Sequence, residues 1–406
     1  MQAAGTTPEP THEVAVEKWV YGGKGLARLE GRAVLVPYVL PGETVRVRVR
    51  RERPGLLEAE LVEILTSVPD RVLAPCPYFR RCGGCHYQHA GYPFQVEHKR
   101  DVLIEVLRRI GKIAPPEPVG TVVGEPWQYR NRTQFHLHGR EIGYMEAASH
   151  RLCAVEQCAI CSPKINEALG ALRSMLRERR FPRFLRSIEL FTNESEVQLN
   201  VLESEQPPAR SFFEWCAERI PGTAAGSLDY PAAGYVFRVS HGSFFQTNRF
   251  LIDRLVECAL EGAEGEAAVD LYAGVGLFSL PLASRFRRVT AVESGRSAFR
   301  DLEYNTARAG LSVQAVRSSS EQFLEALSDP PDFVLADPPR SGLGKTVVRH
   351  LLRLRPARIV IVSCDPATLA RDLRTLVGGG YRLEGLTLVD LFPQTYHIES
   401  VARLSI

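Results

Sequence analysis

The sequence predicts a multi-domain chain that ends in an α/β domain with a doubly wound parallel sheet. At 406 residues, the chain is too long for one ordinary hydrophobic core. The first 67 residues contain short apolar stretches separated by glycine turns, which is typical of a small β-barrel. From about His241, buried apolar runs alternate with helical patterns, and this alternation predicts parallel strands connected by helices.

Composition excludes several classes of protein. Apolar residues make up 45% of the chain and charged residues 24%, which is ordinary for a globular protein. No apolar run approaches the roughly 18 residues of a membrane helix, and the N-terminus lacks the pattern of a secretory signal. We therefore expect a cytoplasmic protein without a membrane partner. Nine cysteines without an export signal indicate metal binding or catalysis rather than a disulfide framework.

The N-terminal barrel is expected over residues 9–67. Within it, residues 43–50 alternate apolar and charged side chains, which predicts a half-buried strand. Its exposed face carries Arg46, Arg48 and Arg50. This arginine face is either a solvated surface or a surface that contacts phosphates, and a net charge of +3 does not decide between them.

A central α+β domain is expected over residues 68–240. Residues 92–112 predict an amphipathic helix with an apolar side formed by Val96, Val102, Leu103, Val106, Leu107 and Ile110. A second group of arginines follows at 171–186, again a solvated surface unless it meets phosphates.

Three cysteines of this domain lie within ten residues. The spacing of Cys76, Cys82 and Cys85 suits three thiolates on one cube-shaped iron–sulfur cluster, with the fourth ligand supplied from elsewhere. His86 or His89 would instead complete a zinc site with the same cysteines.

The C-terminal domain is expected over residues 241–406. The predicted buried strands cover residues 268–271, 288–293, 333–337 and 359–363. Two further apolar stretches, 383–392 and 397–404, are separated by only four residues. That spacing predicts an antiparallel hairpin at the end of the sheet.

Polar residues follow several of these strands, where ligands of open α/β sheets bind. The glycine turn after Asp270 only weakly matches a dinucleotide site, because Ser279 stands where a third glycine is expected. Glu293 suits the ribose hydroxyls of either NAD or S-adenosylmethionine. Asp337 opens a rigid Asp-Pro-Pro run beside that site, and Cys364 ends a central strand as a candidate nucleophile.

Five segments, in order between residues 244 and 401, resemble the motifs of the RNA uracil-5-methyltransferase family. They are Phe244-Phe245-Gln246-Thr247-Asn248, Asp270-Leu271-Tyr272, Asp337-Pro338-Pro339-Arg340, the run from Ser363 to Asp372 around Cys364, and the closing run from Phe392 to Val401. The resemblance implies that S-adenosylmethionine is the cofactor and that Cys364 is the nucleophile and Glu399 the base. It also implies that the residues contacting the cofactor are Gln246, Tyr272, Glu293 and Asp337.

The resemblance extends to the rest of the chain. It favours a [4Fe–4S] cluster held by Cys76, Cys82, Cys85 and a downstream cysteine, and it makes Cys158 the best candidate, with Cys153 and Cys161 as alternatives. The N-terminal barrel resembles the TRAM domain, an OB-like RNA-binding module that often precedes this family's iron–sulfur domain.

The chemistry explains why a cysteine and a base are needed. A thiolate that adds to carbon 6 of uracil loads electron density onto carbon 5, which then attacks the sulfonium methyl group. A base must afterwards remove the carbon 5 proton so that the cysteine can leave. The target base must be flipped out or already unstacked, and Phe244, Phe245 and Tyr396 are candidates for stacking on it.

The sequence therefore predicts a monomeric enzyme that makes 5-methyluridine in structured RNA. The 23S ribosomal RNA is the expected substrate, and the T-loop uridine of transfer RNA is the alternative within this class. A non-catalytic RNA-binding or assembly protein is disfavoured by the presence of both Cys364 and Glu399, and an NAD-dependent oxidoreductase by Ser279.

Overall fold

The computed structural model describes residues 10–224 and 226–406. Residue 9, the expected start of the barrel domain, and the rest of the N-terminal segment lie outside the described residues. Contacts divide the chain into two compact units. The N-terminal unit runs to Val102 and includes Gln394–Tyr396, and the C-terminal unit comprises Leu103–Pro393 and His397–Ile406.

The N-terminal unit contains the expected small β-barrel. Its strands close in the order β1-β2-β3-β5-β4. The alternation of apolar and charged residues in β4 is confirmed, because Val45 and Val47 are fully buried in the barrel core. The strands are β1 (Thr11–Val20), β2 (Lys24–Leu29), β3 (Arg32–Pro37), β4 (Thr44–Arg53) and β5 (Leu56–Thr66).

The predicted helix forms as α1 (Tyr92–Val106), followed by one π-helical turn at Leu107–Gly111. Its buried face differs from the expectation. Ile110 is 44% exposed, whereas the polar Gln95 and Lys99 are buried. Apolar periodicity misses such positions, because a polar side chain is buried wherever the surrounding structure supplies its hydrogen bonds.

The first part of the C-terminal unit is built around a five-stranded antiparallel sheet in the order β11-β10-β7-β8-β9. A separate hairpin, β12–β13, follows. The elements are β7 (Arg132–His138), β8 (Glu141–Met145), β9 (Leu152–Ala154), α2 (Pro163–Met175), β10 (Leu185–Thr192), β11 (Val197–Ser204), α3 (Arg210–Arg219), β12 (Leu228–Ala232) and β13 (Tyr235–Val239).

The second part of the C-terminal unit is an eight-stranded sheet in the order β16-β15-β14-β17-β18-β20-β19-β6. The first five strands are parallel, and β20 is antiparallel to both β18 and β19. This confirms the doubly wound sheet and its terminal hairpin. The strands are β6 (Gly120–Val122), β14 (Gly265–Leu271), β15 (Phe286–Glu293), β16 (Val313–Arg317), β17 (Phe333–Ala336), β18 (Arg358–Ser363), β19 (Arg382–Val389) and β20 (Glu399–Ser405).

Helices connect these strands and cover the sheet. The central strand β17 is buried along its whole length, as its continuous apolar sequence predicts. The helices are α4 (Ile252–Ala259), α5 (Ser279–Leu282), α6 (Arg296–Ala309), α7 (Ser320–Ala326), α8 (Gly344–Leu354) and α9 (Pro366–Gly378). In the part of the chain that the structure describes, no helix is both long enough and apolar enough to cross a membrane.

Candidate active site

The polar residues predicted at the strand ends lie along one edge of the C-terminal sheet. Glu293 is the last residue of β15, and Tyr272, Asp337 and Cys364 directly follow β14, β17 and β18. These four strands are neighbours in the sheet. Since parallel strands end at the same edge, the structure brings the four residues to the edge where ligands of such sheets bind.

Cys364 and Glu399 come together through the register of two antiparallel strands. Ser363, the last residue of β18, pairs with Ser400 of β20, so the next residues outward are Cys364 on one strand and Glu399 on the other. The Ser400 hydroxyl donates a hydrogen bond to the Ser363 carbonyl at 3.3 Å, which ties the two strands together at this point. The predicted nucleophile and the predicted base are therefore neighbours.

The surroundings of Cys364, Glu399 and Asp337 favour the uncharged form of each side chain. Burial raises the pKa of the Cys364 thiol to about 12, and the nearby carboxylates of Glu399 and Asp337 add to the effect. Burial, reinforced by Asp337, raises the pKa of Glu399 well above its usual range. Burial also raises the pKa of Asp337 to about 7. At neutral pH Cys364 is therefore a thiol, and burial disfavours the charged form of the neighbouring Glu399.

Gln246 belongs to the same site. Its side chain is buried, and Nε2 donates a hydrogen bond to Oδ2 of Asp337 at 3.3 Å. The backbone next to Gln246 is also held in place, since the backbone nitrogen of Asn131 donates a hydrogen bond to the carbonyl of Thr247. The predicted cofactor residues Gln246 and Asp337 are thus in direct contact.

The glycine turn after β14 forms the other side of the site. The carboxylate of Glu293 accepts hydrogen bonds from the backbone nitrogens of Gly274 and Gly295. Gly274 has a φ of +57°, and a Cβ built on it would have no atom within 4 Å, so its outer side faces open space. A carboxylate beside an open glycine turn suits a ribose, because its oxygens keep lone pairs for two hydroxyl groups.

Tyr272 lies at the start of this turn and is half-buried. Burial raises its pKa to about 12, and a hydrogen bond with the Ser320 side chain opposes that rise. Its hydroxyl is therefore tied to a neighbouring helix, and the ring is the part of the side chain left to contact a ligand.

Two features of the site were not assigned from the sequence. Arg340 Nη2 lies 2.8 Å from Nδ1 of His397, and the positive charge of Arg340 partly offsets the elevated pKa of Cys364. Asp270 is fully buried with its pKa raised to about 7 by burial, and it accepts a hydrogen bond from the Ser279 hydroxyl at 2.5 Å. Arg340, His397 and Asp270 lie in the family motifs, but the contacts of Arg340 with His397 and of Asp270 with Ser279 form only in the folded chain.

Of the three aromatic residues expected near the target base, one is excluded. Phe245 is 2% exposed and packs against Phe191, Tyr230 and Phe237, so its ring belongs to the core. Phe244 is 62% exposed and remains a candidate for stacking. The third candidate, Tyr396, belongs to the N-terminal unit.

The cysteines near residue 80 lie in a loop of the N-terminal unit. Cys85 is buried, Cys76 and Cys82 are partly buried, and the Gly84 nitrogen donates to the Cys82 sulfur at 3.4 Å. Among the described residues, no three His, Cys, Asp or Glu side chains gather closely enough to hold a metal ion. The thiol donors suit an iron–sulfur cluster chemically, and the cluster stays a prediction.

The downstream cysteines differ in accessibility. Cys153 and Cys161 are fully buried, whereas Cys158 is partly exposed. The Asn166 side chain fixes this turn by accepting from the Cys158 nitrogen and donating to the carbonyls of Cys158 and Cys161. Hydrogen bonds from the side chains of Cys161 and Tyr144 lower the pKa of Cys158 to about 6.

The predicted arginine face of β4 is largely neutralised. Across the strand pair, Arg46 forms an ion pair with Glu63, and Arg48 and Arg50 both pair with Glu60. In the second arginine group, Arg173 pairs with Glu156 and Arg186 with Glu205, whereas Arg177 and Arg179 are exposed. Because these glutamates offset the arginine charges, the exposed face of β4 is less suited to contact phosphates.

Two family models match the chain. The model of the TRAM domain matches residues 10–62, and that of tRNA (uracil-5-)-methyltransferase matches residues 226–405. Together they cover the barrel up to residue 62, within β5, and the whole eight-stranded sheet apart from β6.

The chain is similar to relatives over nearly its full length. An RNA methyltransferase of Aquifex aeolicus is 33% identical over 97% of this chain and 98% of the relative. The 23S rRNA (uracil(1939)-C(5))-methyltransferase of Pseudomonas putida is 33% identical over 95% of this chain and 92% of the relative. A crystal structure of the tRNA (uracil-54, C5)-methyltransferase of Pyrococcus abyssi with S-adenosyl-L-homocysteine aligns with a TM-score of 0.78 and 27% identity, covering 96% of this chain and 99% of that one.

Proposed function

Because this chain belongs to the RNA (uracil-5-)-methyltransferase family, we propose that it methylates carbon 5 of a uridine in RNA with S-adenosylmethionine as the methyl donor. The observation that carries this proposal is the placement of Cys364 opposite Glu399 at the edge of the sheet. A thiol and a carboxylate at that position match the two roles that uracil methylation requires.

The two residues act in sequence. Cys364 adds through its sulfur to carbon 6 of the uracil ring. The electron pair of the double bond between carbons 5 and 6 then becomes available at carbon 5, which attacks the methyl group. After the methyl group has been transferred, Glu399 in its carboxylate form takes the proton from carbon 5. The electron pair of that C–H bond restores the ring double bond, and the Cys364 sulfur leaves carbon 6.

The elevated pKa of Cys364 shapes the first step. Since the thiol is protonated at neutral pH, it gives its proton to solvent as the sulfur approaches carbon 6, and it regains one after the sulfur has left. Arg340, whose charge favours the thiolate, is the group that assists this step.

The glycine turn and its neighbours fit S-adenosylmethionine. We assign Glu293 to the ribose hydroxyls, and Gln246, Tyr272 and Asp337 to the rest of the cofactor. The open space at Gly274 supports this assignment, since a backbone without a side chain lets a ligand approach closely. When bound there, the cofactor supplies the methyl group.

We propose 23S ribosomal RNA as the substrate. The P. putida relative carries that activity in its name, and its identity to this chain is 33%, against 27% for the P. abyssi transfer RNA enzyme. Transfer RNA is the second candidate, because the P. abyssi structure aligns over almost the whole chain.

We further propose a [4Fe–4S] cluster held by Cys76, Cys82, Cys85 and Cys158. Three thiols on one short loop support it, as does the Gly84 nitrogen that donates to the Cys82 sulfur. Of the downstream cysteines, Cys158 is supported as the fourth ligand by its lowered pKa, since the thiolate is the form that binds a metal, whereas the pKa of Cys161 is raised by burial. Methyl transfer itself needs no electron, so the role of the cluster is structural or in positioning RNA.

A methylation assay tests the activity and the substrate together. Unmodified 23S rRNA and tRNA are incubated with the protein and a labelled methyl donor, and 5-methyluridine is mapped by mass spectrometry. We expect label in one uridine of 23S rRNA. Label only in tRNA would reverse the substrate assignment, and label in neither RNA would contradict the proposed activity.

Iron and sulfide content after anaerobic purification test the cluster. We expect Cys82→Ser and Cys158→Ser to lose both, with weaker RNA binding but intact binding of the methyl donor. Cys161→Ser, and Cys216→Ser in helix α3, serve as controls that keep them. Full iron content in Cys158→Ser would remove that residue from the ligand set.

A further inference from the structure

The segment Gln394–Tyr396 belongs to the N-terminal unit, although the chain on both sides of it belongs to the C-terminal unit. The proposed base, Glu399, follows only three residues after this segment. Gln394 has a φ of +66°, in the left-handed region that residues other than glycine rarely adopt. Such a conformation persists only where surrounding contacts impose it.

A single buried glutamine of helix α1 supplies several of those contacts. The Gln95 side chain is fully buried, and its Oε1 accepts a hydrogen bond from the backbone nitrogen of Gln394 at 3.0 Å. Its Nε2 lies 3.0 Å from Oε1 of Gln394, to which it donates. The same nitrogen is anchored by the carbonyls of Tyr87 and Ala90, at 3.1 and 2.9 Å. Gln95 therefore holds both the backbone and the side chain of Gln394.

The end of the cysteine loop, directly after Cys85, binds the backbone carbonyl of Gln394. The backbone nitrogens of His86 and Tyr87, which directly follow Cys85, both donate to the Gln394 carbonyl, at 2.8 and 3.0 Å. The backbone nitrogen, the backbone carbonyl and the side-chain Oε1 of Gln394 are thus all bonded to residues of the N-terminal unit.

The barrel contributes an apolar contact to the same segment. The ring of Tyr396 packs against His86, with centroids 4.6 Å apart, and edge-on to Tyr21 at 5.8 Å. Gly23, with a φ of +85°, lies so close that a Cβ would come within 3.2 Å of the Tyr396 ring. The barrel turn, the cysteine loop and helix α1 therefore all fix this one segment.

We propose that Gln95 is a positioning residue for the proton-removal step: by holding Gln394, it sets the position of Glu399 on the same stretch of chain. The inference rests on the proposed function and assigns the N-terminal unit a task besides binding RNA. Because a displacement of about 1 Å can cost up to about 100-fold in rate, loosening this segment should slow proton removal while substrate binding persists.

The test compares Gln95→Met with the wild type and with Gln198→Met. Methionine keeps the volume of the buried side chain but removes its hydrogen bonds. Gln198 is an equally buried glutamine of the C-terminal unit, bonded to the carbonyls of Gly226 and Val239. We measure kcat, the KM for RNA, and the covalent protein–RNA adduct on denaturing gels.

We expect Gln95→Met to lower kcat by about 10- to 100-fold, to lower rather than raise the KM for RNA and to accumulate adduct, because the addition of Cys364 does not need Glu399. Gln198→Met should resemble the wild type. Gln394→Ala, which removes only the side-chain half of the contact, should show a smaller effect of the same kind. It also keeps the test available if Gln95→Met does not fold.

Two results overturn the inference. One is wild-type kinetics in both Gln95→Met and Gln394→Ala. The other is a raised KM for RNA without accumulated adduct, which would make Gln95 a structural support for RNA binding. Failure of the proposed function is distinguishable from both, since the wild type would then methylate no RNA.

Discussion

The backbone nitrogen of Gly274 donates a hydrogen bond to Oε2 of Glu293, and the two atoms are 2.9 Å apart. This contact joins the ends of two adjacent parallel strands, β14 and β15. It fixes the Glu293 carboxylate beside the open side of the glycine turn, where we place the cofactor ribose.

Replacing Glu293 by glutamine should weaken binding of the methyl donor. The neutral amide keeps the size of the side chain but loses an acceptor and the negative charge, and hydrogen bonds to charged groups contribute about 1.5–3 kcal/mol. We therefore expect the Kd for S-adenosylmethionine to rise about 10- to 100-fold, measured by titration calorimetry. Glu266→Gln, an exposed glutamate at the start of β14, is the matched control. Equal affinities in the two variants would contradict the assignment of Glu293.

The reactivity of Cys364 should rise with pH over an unusually wide range. Burial raises its pKa to about 12, so its thiolate fraction should grow about tenfold per pH unit from pH 7 to pH 10 without a plateau. We propose to follow alkylation of the Cys364 peptide by iodoacetamide, using mass spectrometry. Free cysteine, whose pKa is about 8.5, should level off within that range. A plateau of the Cys364 rate below pH 9 would show that the thiol is activated in the unliganded enzyme.

Substitution of Arg340 provides a second test of what sets the pKa of the Cys364 thiol. The arginine charge opposes the rise in the pKa of Cys364, so Arg340→Gln should raise that pKa further and slow alkylation at every pH in the range. An unchanged rate would mean that Arg340 does not act on the thiol.

Most of the catalytic sheet could be predicted from the sequence, because strands buried on both faces appear as continuous apolar runs. The extra strand β6 could not be, since it contains only three residues, Gly120–Val122, and exists through its pairing with β19. Gly120 shows how specific that pairing is, because a Cβ there would come within 2.8 Å of Oγ1 of Thr387. Such a contact is tertiary and leaves no periodic signal.

The residues of the candidate site could be predicted where they lie in a sequence motif. Contacts that depend on how strands pair could not. Cys364 and Glu399 stand out in quoted segments, but the pairing of Arg340 with His397 depends on how the terminal hairpin folds back. In the same way, the arginines of β4 were evident in the sequence. Their neutralisation by Glu60 and Glu63 follows only from the pairing of β4 with β5.

Asp270 should make stability depend on pH. Burial raises its pKa from 3.8 to about 7, so the folded chain keeps a proton that the unfolded chain has lost between these values. The stabilisation is complete below about pH 4 and declines as pH rises toward 7, by at most about 4 kcal/mol. Asp270→Asn, which cannot ionise, should therefore gain Tm relative to the wild type at pH 8 but much less at pH 5, as measured by thermal unfolding.

The control for this measurement is Asp329→Asn, an exposed aspartate of the same unit. Its Tm should differ little from the wild type at either pH. If the difference between Asp270→Asn and the wild type were the same at pH 5 and pH 8, Asp270 would not be the group responsible.

Replacing Glu399 by glutamine should stop the reaction after methyl transfer. Glu399 is 3% exposed, and burial and Asp337 raise its pKa well above the usual range. The neutral amide keeps the size of the side chain and adds no buried charge, so it should not impair folding, but it cannot take the carbon 5 proton. We expect turnover to fall about 10²- to 10⁴-fold and the methylated protein–RNA adduct to accumulate on denaturing gels. Cys364→Ala should form no adduct, and Glu384→Gln, an exposed glutamate in the same hairpin, should turn over normally. Slow turnover of Glu399→Gln without adduct would place Glu399 before the addition of Cys364 instead, and Gln95→Met would then be expected to lose adduct as well.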